Sequence, residues 1–377
     1  MTNHALLSAS SSDRWLNCPP SARLNAGPES TVSTYALEGT EAHQLCESLL
    51  KEALGIKAED PRPGLTMYSE EMERAATTYV EHVMECLEGA KLTTSDPMVF
   101  IEQRLDFSEY VPQGFGTADC IVIADKCLSL FDFKYGTGIL VDAEKNSQLM
   151  LYGLAATLLF DVIYDFDEVQ MTIIQPRRDN ISTYSISKDE LIHWAEETVR
   201  PIAKLAFEGK GDFKAGKHCQ FCSVKATCRE RAEANLALAQ YEFREAELLS
   251  DEEVADVLDK ADDLISWAKD VKEYALSAAL SGKAFPGYKL VEGRSNRKYI
   301  NEEAVAETVS EAGYEPYEKK ILGITAMTNL LGRKQFNELL GHLVMKPEGK
   351  PTLVPVRDTR PAMTTIFDEF KEESIHD

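Results

Sequence analysis

No apolar run in the 377 residues reaches the roughly 20 residues needed to cross a membrane. The N-terminus also lacks the basic-then-apolar order of a secretory signal. These absences lead us to expect a soluble protein of a bacterial cytoplasm, bacterial or phage-like in style, with no membrane partner. No glycine-rich nucleotide loop and no helicase motif is present, so ATP-driven unwinding would have to come from a partner. Internal repeats are missing too, which sets aside solenoids and propellers. Positive charge is scarce: 40 Lys and Arg stand against 63 Asp and Glu, a net charge of −23. That balance argues against a nucleic-acid coat or scaffold. It leaves nucleic-acid binding open, because affinity depends on where the cations sit, and a site that gathers metal ions is itself acidic. The length suits one large domain and a smaller one, and an apolar content of 44% supplies a core.

The most informative stretch runs from Gly116 to Tyr152. It reads Gly116-Thr117-Ala118-Asp119, an apolar run, Asp132-Phe133-Lys134, and then Gln148-x-x-x-Tyr152. Cys120–Ala124 and Leu128–Phe133 are β-branched and aromatic runs around Asp125-Lys126, which predicts a tight hairpin inside a buried sheet. Asp119 enters the first strand, and Asp132 and Lys134 leave the second on a shared face, with Phe133 turned into the core. Two carboxylates aimed into one volume call for a hard cation, and oxygen ligands suit Mg²⁺ or Mn²⁺. The lysine adds a group able to steer water or stabilise charge on a phosphate. Asn146 starts a helix on which Gln148 and Tyr152 are four apart and share a face. Taken singly, these are ordinary turn and helix residues; their order is what stands out.

The ordered set Gly-x-x-Asp, Asp-x-Lys, Gln-x-x-x-Tyr resembles the nuclease core of the PD-(D/E)XK superfamily, in its RecB-like iron–sulfur branch, over about residues 8–235. The whole chain, with Ser8-Ala9-Ser10-Ser11-Ser12 and Gly293-Arg294-Ser295-Asn296-Arg297, also resembles a phage and prophage protein family. The resemblance implies a restriction-endonuclease-like α/β fold with a mixed central sheet flanked by helices. It further implies a Mg²⁺- or Mn²⁺-dependent DNA nuclease, an exonuclease of phage recombination or replication that leaves 5′-phosphates. The metal would be held by His43, Asp119, Asp132 and the Phe133 carbonyl. Lys134 would orient water and stabilise the transition state, and Gln148 and Tyr152 would position substrate or the lysine. Glu41 and Glu102 are further acidic candidates near these residues.

Eight cysteines in such a chain do not suggest a disulfide framework. Cys46, Cys86, Cys120 and Cys127 sit in apolar or helical patterns and read as small core residues. Cys219, Cys222 and Cys228 have the spacing Cys-x2-Cys-x5-Cys, which brings thiolates to one metal or cluster, with Cys18 as the fourth. The resemblance implies a structural 4Fe–4S cluster pinning the N-terminal segment to the end of the nuclease domain. Zinc, on four cysteines or on three plus His218, is the rival.

The remaining pattern is mostly helical. Ser10–Asp13 reads as an N-cap for a short helix stopped by Pro19-Pro20. Helices are expected at 34–54, 67–89 and 188–208, and strands at 98–107, 168–175 and 180–187. We place a nuclease domain at 1–235 and a mainly helical region at 236–377, with a strand at 287–292 and helices at 302–312 and 324–331. That region would serve DNA grip, oligomer contacts or a partner surface. Basic candidates for DNA contact are Arg177, Arg178, Arg294, Arg297 and Lys298, and Lys210–Arg231 is also net positive. Expected partners are DNA and a phage single-strand annealing or single-strand-binding protein, and a homo-oligomer is compatible with the sequence. The alternative function is a weakly catalytic or non-catalytic module that binds DNA or recruits a recombination protein.

Overall fold

The computed structural model describes residues 5–27, 34–92, 94–124, 126–238, 249–292, 299–318 and 320–345. Two compact units divide the chain, Met1–Ala278 and Ala279–Asp377. In the first, α1 (Ser12–Asn17), α2 (Ser21–Leu24), α3 (Thr34–Ala53) and α4 (Glu70–Lys91) precede a five-stranded sheet. The strands are β1 (Met98–Asp106), β2 (Phe115–Ala124), β3 (Lys126–Phe133), β4 (Phe166–Gln175) and β5 (Asn180–Ser187). Their spatial order follows the chain: β1, β2 and β3 are antiparallel neighbours, β3 and β4 are parallel, and β4 and β5 are antiparallel. Helix α5 (Ser147–Phe160) supplies the crossover that the parallel step requires. After β5 come α6 (Lys188–Trp194), a π-helical turn (Ala195–Val199), α7 (Arg200–Glu208), α8 (Arg229–Leu236) and α9 (Asp251–Leu280).

Each sheet face carries its own core, which is why β2 and β3 are apolar on both sides rather than alternating. One core joins Trp15, Ile121, Leu130, Leu154 and Met171, and the other joins Leu45, Tyr79, Val122, Phe131 and Phe133. Helix α5 is buried along most of its length, as expected for a helix apolar on every side. Asn146 caps it, its side chain accepting from the Gln148 and Leu149 amides at 3.1 and 3.3 Å. The hairpin closes with Ala124 opposite Cys127, and Lys126 takes the φ of +66° that such a turn demands. Its neighbour Asp125 lies outside the described residues.

Two expectations are corrected. The Ser10–Asp13 cluster makes no side-chain cap on α1; Ser12 instead meets the Ser147 hydroxyl at 2.6 Å, joining the starts of α1 and α5. Trp15, fully buried, anchors the same segment by donating its indole N–H to the Ser8 carbonyl at 3.0 Å. Residues 287–292 form no strand; Tyr288, Leu290 and Val291 are exposed. Strand-like residues such as Tyr288 and Val291 give no strand without a neighbouring edge to pair with. The second unit holds α10 (Glu302–Glu311), α11 (Ile324–Leu331) and α12 (Arg333–Leu340), the last not anticipated. Among the described residues no helix is long and apolar enough to cross a membrane.

Candidate functional site

The site is built at one rung of the sheet. β1 and β2 keep a single register, with Ile101 opposite Cys120 and Gln103 opposite Ala118, so Glu102 and Asp119 share the rung between. Both strands change faces there. Phe100 and Ile121 pack in the first core and Ile101 and Cys120 in the second, yet Leu105 and Ala118 belong to the first again. Strict alternation would have sent Leu105 and Ala118 to the second. Glu102 marks the break with a left-handed φ of +50°, a conformation costing a non-glycine residue about 1–3 kcal/mol.

The face change brings the two carboxylates up against His43 of α3. The ligand atoms of His43, Glu102 and Asp119 all lie within 4.8 Å of one another, with His43 Nδ1 3.3 Å from Asp119 Oδ1. The second Asp119 oxygen accepts the Phe133 amide N–H at 2.7 Å, fixing the carboxylate. The Phe133 ring stands edge-on to the imidazole, centroids 5.4 Å apart. One imidazole nitrogen and two carboxylates, with water completing the shell, suit Mn²⁺ and also Mg²⁺.

Asp132 stands on the other side of Asp119 in a closed polar triangle. Its Oδ2 is 2.9 Å from Lys134 Nζ, and its Oδ1 accepts from Gln148 Nε2 at 3.2 Å. Lys134 in turn donates to Gln148 Oε1 at 3.2 Å. Of the expected ligands, His43 and Asp119 are brought together, while Asp132 and the Phe133 carbonyl are not part of that group. Glu102 joins His43 and Asp119, Asp132 holds the lysine, and Phe133 presents its N–H to Asp119.

The charges follow from this layout. Burial opposes protonation of His43, but Asp119 outweighs it and the His43 pKa is raised. Burial likewise opposes charge on Asp119, and His43 overcomes it, so the Asp119 pKa is lowered. Desolvation dominates at Asp132, whose pKa is raised despite Lys134. At Lys134 burial is outweighed by Asp132, and the ammonium is favoured. Glu102 is exposed as a residue. Even so, its carboxyl is pushed up to about 7 by desolvation and then by Asp119.

Tyr152 connects two of the motifs by packing. A Cβ on Gly116 would sit 2.5 Å from Tyr152 Cε1 and 3.2 Å from its hydroxyl, so this glycine exists to admit the ring. Burial and Asp132 push the phenol pKa up, leaving it a neutral hydroxyl. Beside Lys134 and Gln148 a groove of about 1000 Å³ runs past Ile139 and Trp194 to Phe221.

Other candidates are engaged elsewhere. Glu41 faces away from His43 and accepts from the Thr66 amide and hydroxyl and the Met67 amide at 2.6–3.0 Å. Arg177, expected at DNA, is held by Glu38 and Glu71 at 3.6 and 3.2 Å and lies over Tyr135. Arg178 donates to the Thr137 carbonyl at 3.0 Å. Arg294, Arg297 and Lys298 lie outside the described residues.

The four singled-out cysteines come together. Cys18, Cys219, Cys222 and Cys228 line one small cavity with Arg14 and His218. His218 Nε2 is bound to the Lys214 carbonyl at 2.8 Å. Its pKa is raised; burial opposes this, but hydrogen bonds to Cys18 and Lys214 prevail. The cysteine segment and the helix that follows it are tied down as well. Buried Asp270 of α9 takes Arg231 at 2.5 Å and Lys225 at 2.9 Å.

The family described as "Protein of unknown function (DUF2800)" matches residues 4–361, nearly the whole chain. The chain belongs to the DUF2800 family. Among solved structures, this DUF2800 chain is similar to a candidate exonuclease from Eubacterium rectale, at 9% identity and a TM-score of 0.34, over 65% of this chain and 90% of that one. It is also similar to SSO0001, at 15% identity and a TM-score of 0.22, over 58% of this chain and 96% of that one. At TM-scores this low, neither similarity bears on what the DUF2800 chain does.

Proposed function

We propose that this protein is a divalent-metal-dependent DNA nuclease that hydrolyses phosphodiester bonds. The observation that carries the reading is the single rung where Asp119 meets Glu102 and His43 on one side and the Asp132–Lys134–Gln148 triangle on the other. His43, Glu102 and Asp119 would hold Mg²⁺ or Mn²⁺, with Asp132 next to them. Bound there, such an ion supplies Lewis acidity toward a phosphoryl oxygen and acidifies water.

The chain's own residues do the rest. Lys134 stays an ammonium against Asp132 and stabilises negative charge growing on the phosphate. Gln148 fixes both the lysine and Asp132, and Asp119 is held in one orientation by the Phe133 amide. Tyr152, neutral and wedged on Gly116, holds β2 against α5. The groove beside Lys134 gives a polynucleotide room to lie. Exonuclease action and 5′-phosphate products are part of the proposal and rest on the motif order, as do the role in phage recombination and the annealing-protein partner.

The four cysteines would hold a 4Fe–4S cluster, with zinc as the rival. A thiolate-bound group is anionic, and Arg14, which lines the cavity and whose buried Nε has no hydrogen-bond partner, fits such a charge.

The decisive assay follows end-labelled single- and double-stranded DNA with Mn²⁺, Mg²⁺ or EDTA. Wild type should cleave with metal and stop with EDTA. Asp119→Asn and Lys134→Gln should lose activity by about a thousandfold or more while keeping the wild-type circular dichroism. Retained cleavage in either folded variant refutes the assignment.

A further inference from the structure

We propose that Arg14 and Asn25 are the groups that hold and charge-balance whatever the four cysteines bind, acting at the Cys222 corner. The inference rests on the reading of those cysteines as a metal or cluster site, and it concerns residues that the cysteine spacing does not point to.

Three observations carry it. Arg14 lines the cysteine cavity. One end of its guanidinium donates to the Phe221 carbonyl, one residue before Cys222, at 2.9 Å, while its Nε is buried with no partner. An orphaned guanidinium nitrogen is costly unless something anionic completes it. Asn25 approaches from the same N-terminal segment, its Nδ2 3.5 Å from Cys222 Sγ and its Oδ1 accepting the Ser223 amide at 2.7 Å. Ser223 returns a bond to the Leu24 carbonyl at 3.1 Å. The N-terminal segment thus brings a cation to the cysteine cavity, an amide donor to the Cys222 sulfur, and Cys18 besides.

The chemistry explains the placement. Four thiolates around a doubly charged metal or a doubly charged cluster core leave two negative charges in a half-buried site. Donors aimed at the sulfurs and a nearby cation offset that charge, and such outer groups govern how tightly a metal is kept and how a cluster is tuned. Arg14 supplies the cation, with one arm on the backbone and a second nitrogen buried and unpartnered in a residue that lines the cavity.

The test uses full-length protein purified without air, with iron, sulfide and zinc per chain measured first. The bound metal is then challenged with EDTA and its half-life followed in wild type, Arg14→Met, Arg14→Lys and Asn25→Asp. Arg14→Met should shorten the half-life by about tenfold or more, and Arg14→Lys, which restores the charge, should recover most of it. Asn25→Asp keeps the acceptor for Ser223 but sets an anion beside Cys222, and should also lose metal about tenfold faster. A wild-type protein carrying no metal removes the cysteine-site reading and this inference with it. Metal present in wild type, but lost no faster from Arg14→Met and Asn25→Asp, overturns the inference alone. Equal loss from Arg14→Lys and Arg14→Met would reduce Arg14 to a backbone brace and also overturns it.

Discussion

Gly116→Ala tests the geometry of the site without presuming its chemistry. The added methyl would lie 2.5 Å from Cε1 and 3.3 Å from Cζ of Tyr152. The ring cannot swing out of the way, because Tyr152 is only 8% exposed and packed in the first core. Either β2 or the ring must move, and overpacking of this kind costs about 1–3 kcal/mol. In a unit of this size each kcal/mol lowers the melting temperature by about 2–4 °C. The assay is a double-mutant cycle in thermal or urea unfolding with Tyr152→Leu, which removes the ring. Gly116→Ala should be costly in the wild-type background and nearly neutral beside Tyr152→Leu, a coupling of about 1 kcal/mol or more. Cleavage by Gly116→Ala should fall as well, since β2 carries Asp119 three residues later. An equal penalty in both backgrounds, or none in either, refutes the contact and with it the joint role of the two motifs.

Four further outcomes are expected. Glu102→Gln should weaken Mn²⁺ binding by calorimetry about tenfold or more while leaving the fold intact; unchanged affinity would return Glu102 to a bystander. The raised His43 pKa and the Glu102 value of about 7 mean that protons compete with metal there. Mn²⁺ affinity should fall as pH drops through 7 and level off once both groups have lost their protons. Without metal the sign reverses. Both folded pKa values exceed their unfolded ones, so stability present at pH 6 is lost toward pH 8, and added Mn²⁺ should restore the melting temperature at pH 8. A metal-free protein that melts higher at pH 8 than at pH 6 would contradict this. Glu41→Ala, which strands the Thr66 and Met67 donors, should cost about 1–3 kcal/mol of stability yet spare metal binding, the opposite of His43→Ala.

Much of the sheet was readable because its signals are local. The apolar runs, the two-residue turn and the Asn146 cap each fix their own neighbourhood. Asp132, Lys134 and Gln148 were legible together because strand and helix periodicities place them. Glu102 was harder. Its importance comes from a backbone flip shared with the facing strand, and no side-chain pattern encodes that flip. Glu41 could have been set aside from sequence, since residues two apart on a helix point to nearly opposite sides and cannot both serve a site with His43. Arg177 could not, because the carboxylates that hold it arrive from α3 and α4, far away in the chain. Residues 287–292 show the limit from the other direction, a Tyr-Lys-Leu-Val stretch that pairs with no strand among the described residues.

The coincidence of the face change in β1 and β2 has a bearing on which sequences this hairpin tolerates. Adding or deleting one residue in either strand would leave both cores repairable by swapping apolar side chains of similar size. It would also send one of the two acids to the far side of the sheet, where no repacking could bring it back. Length in these strands is therefore constrained by where two oxygens must meet, and substitution inside them should be forgiven far more readily than insertion.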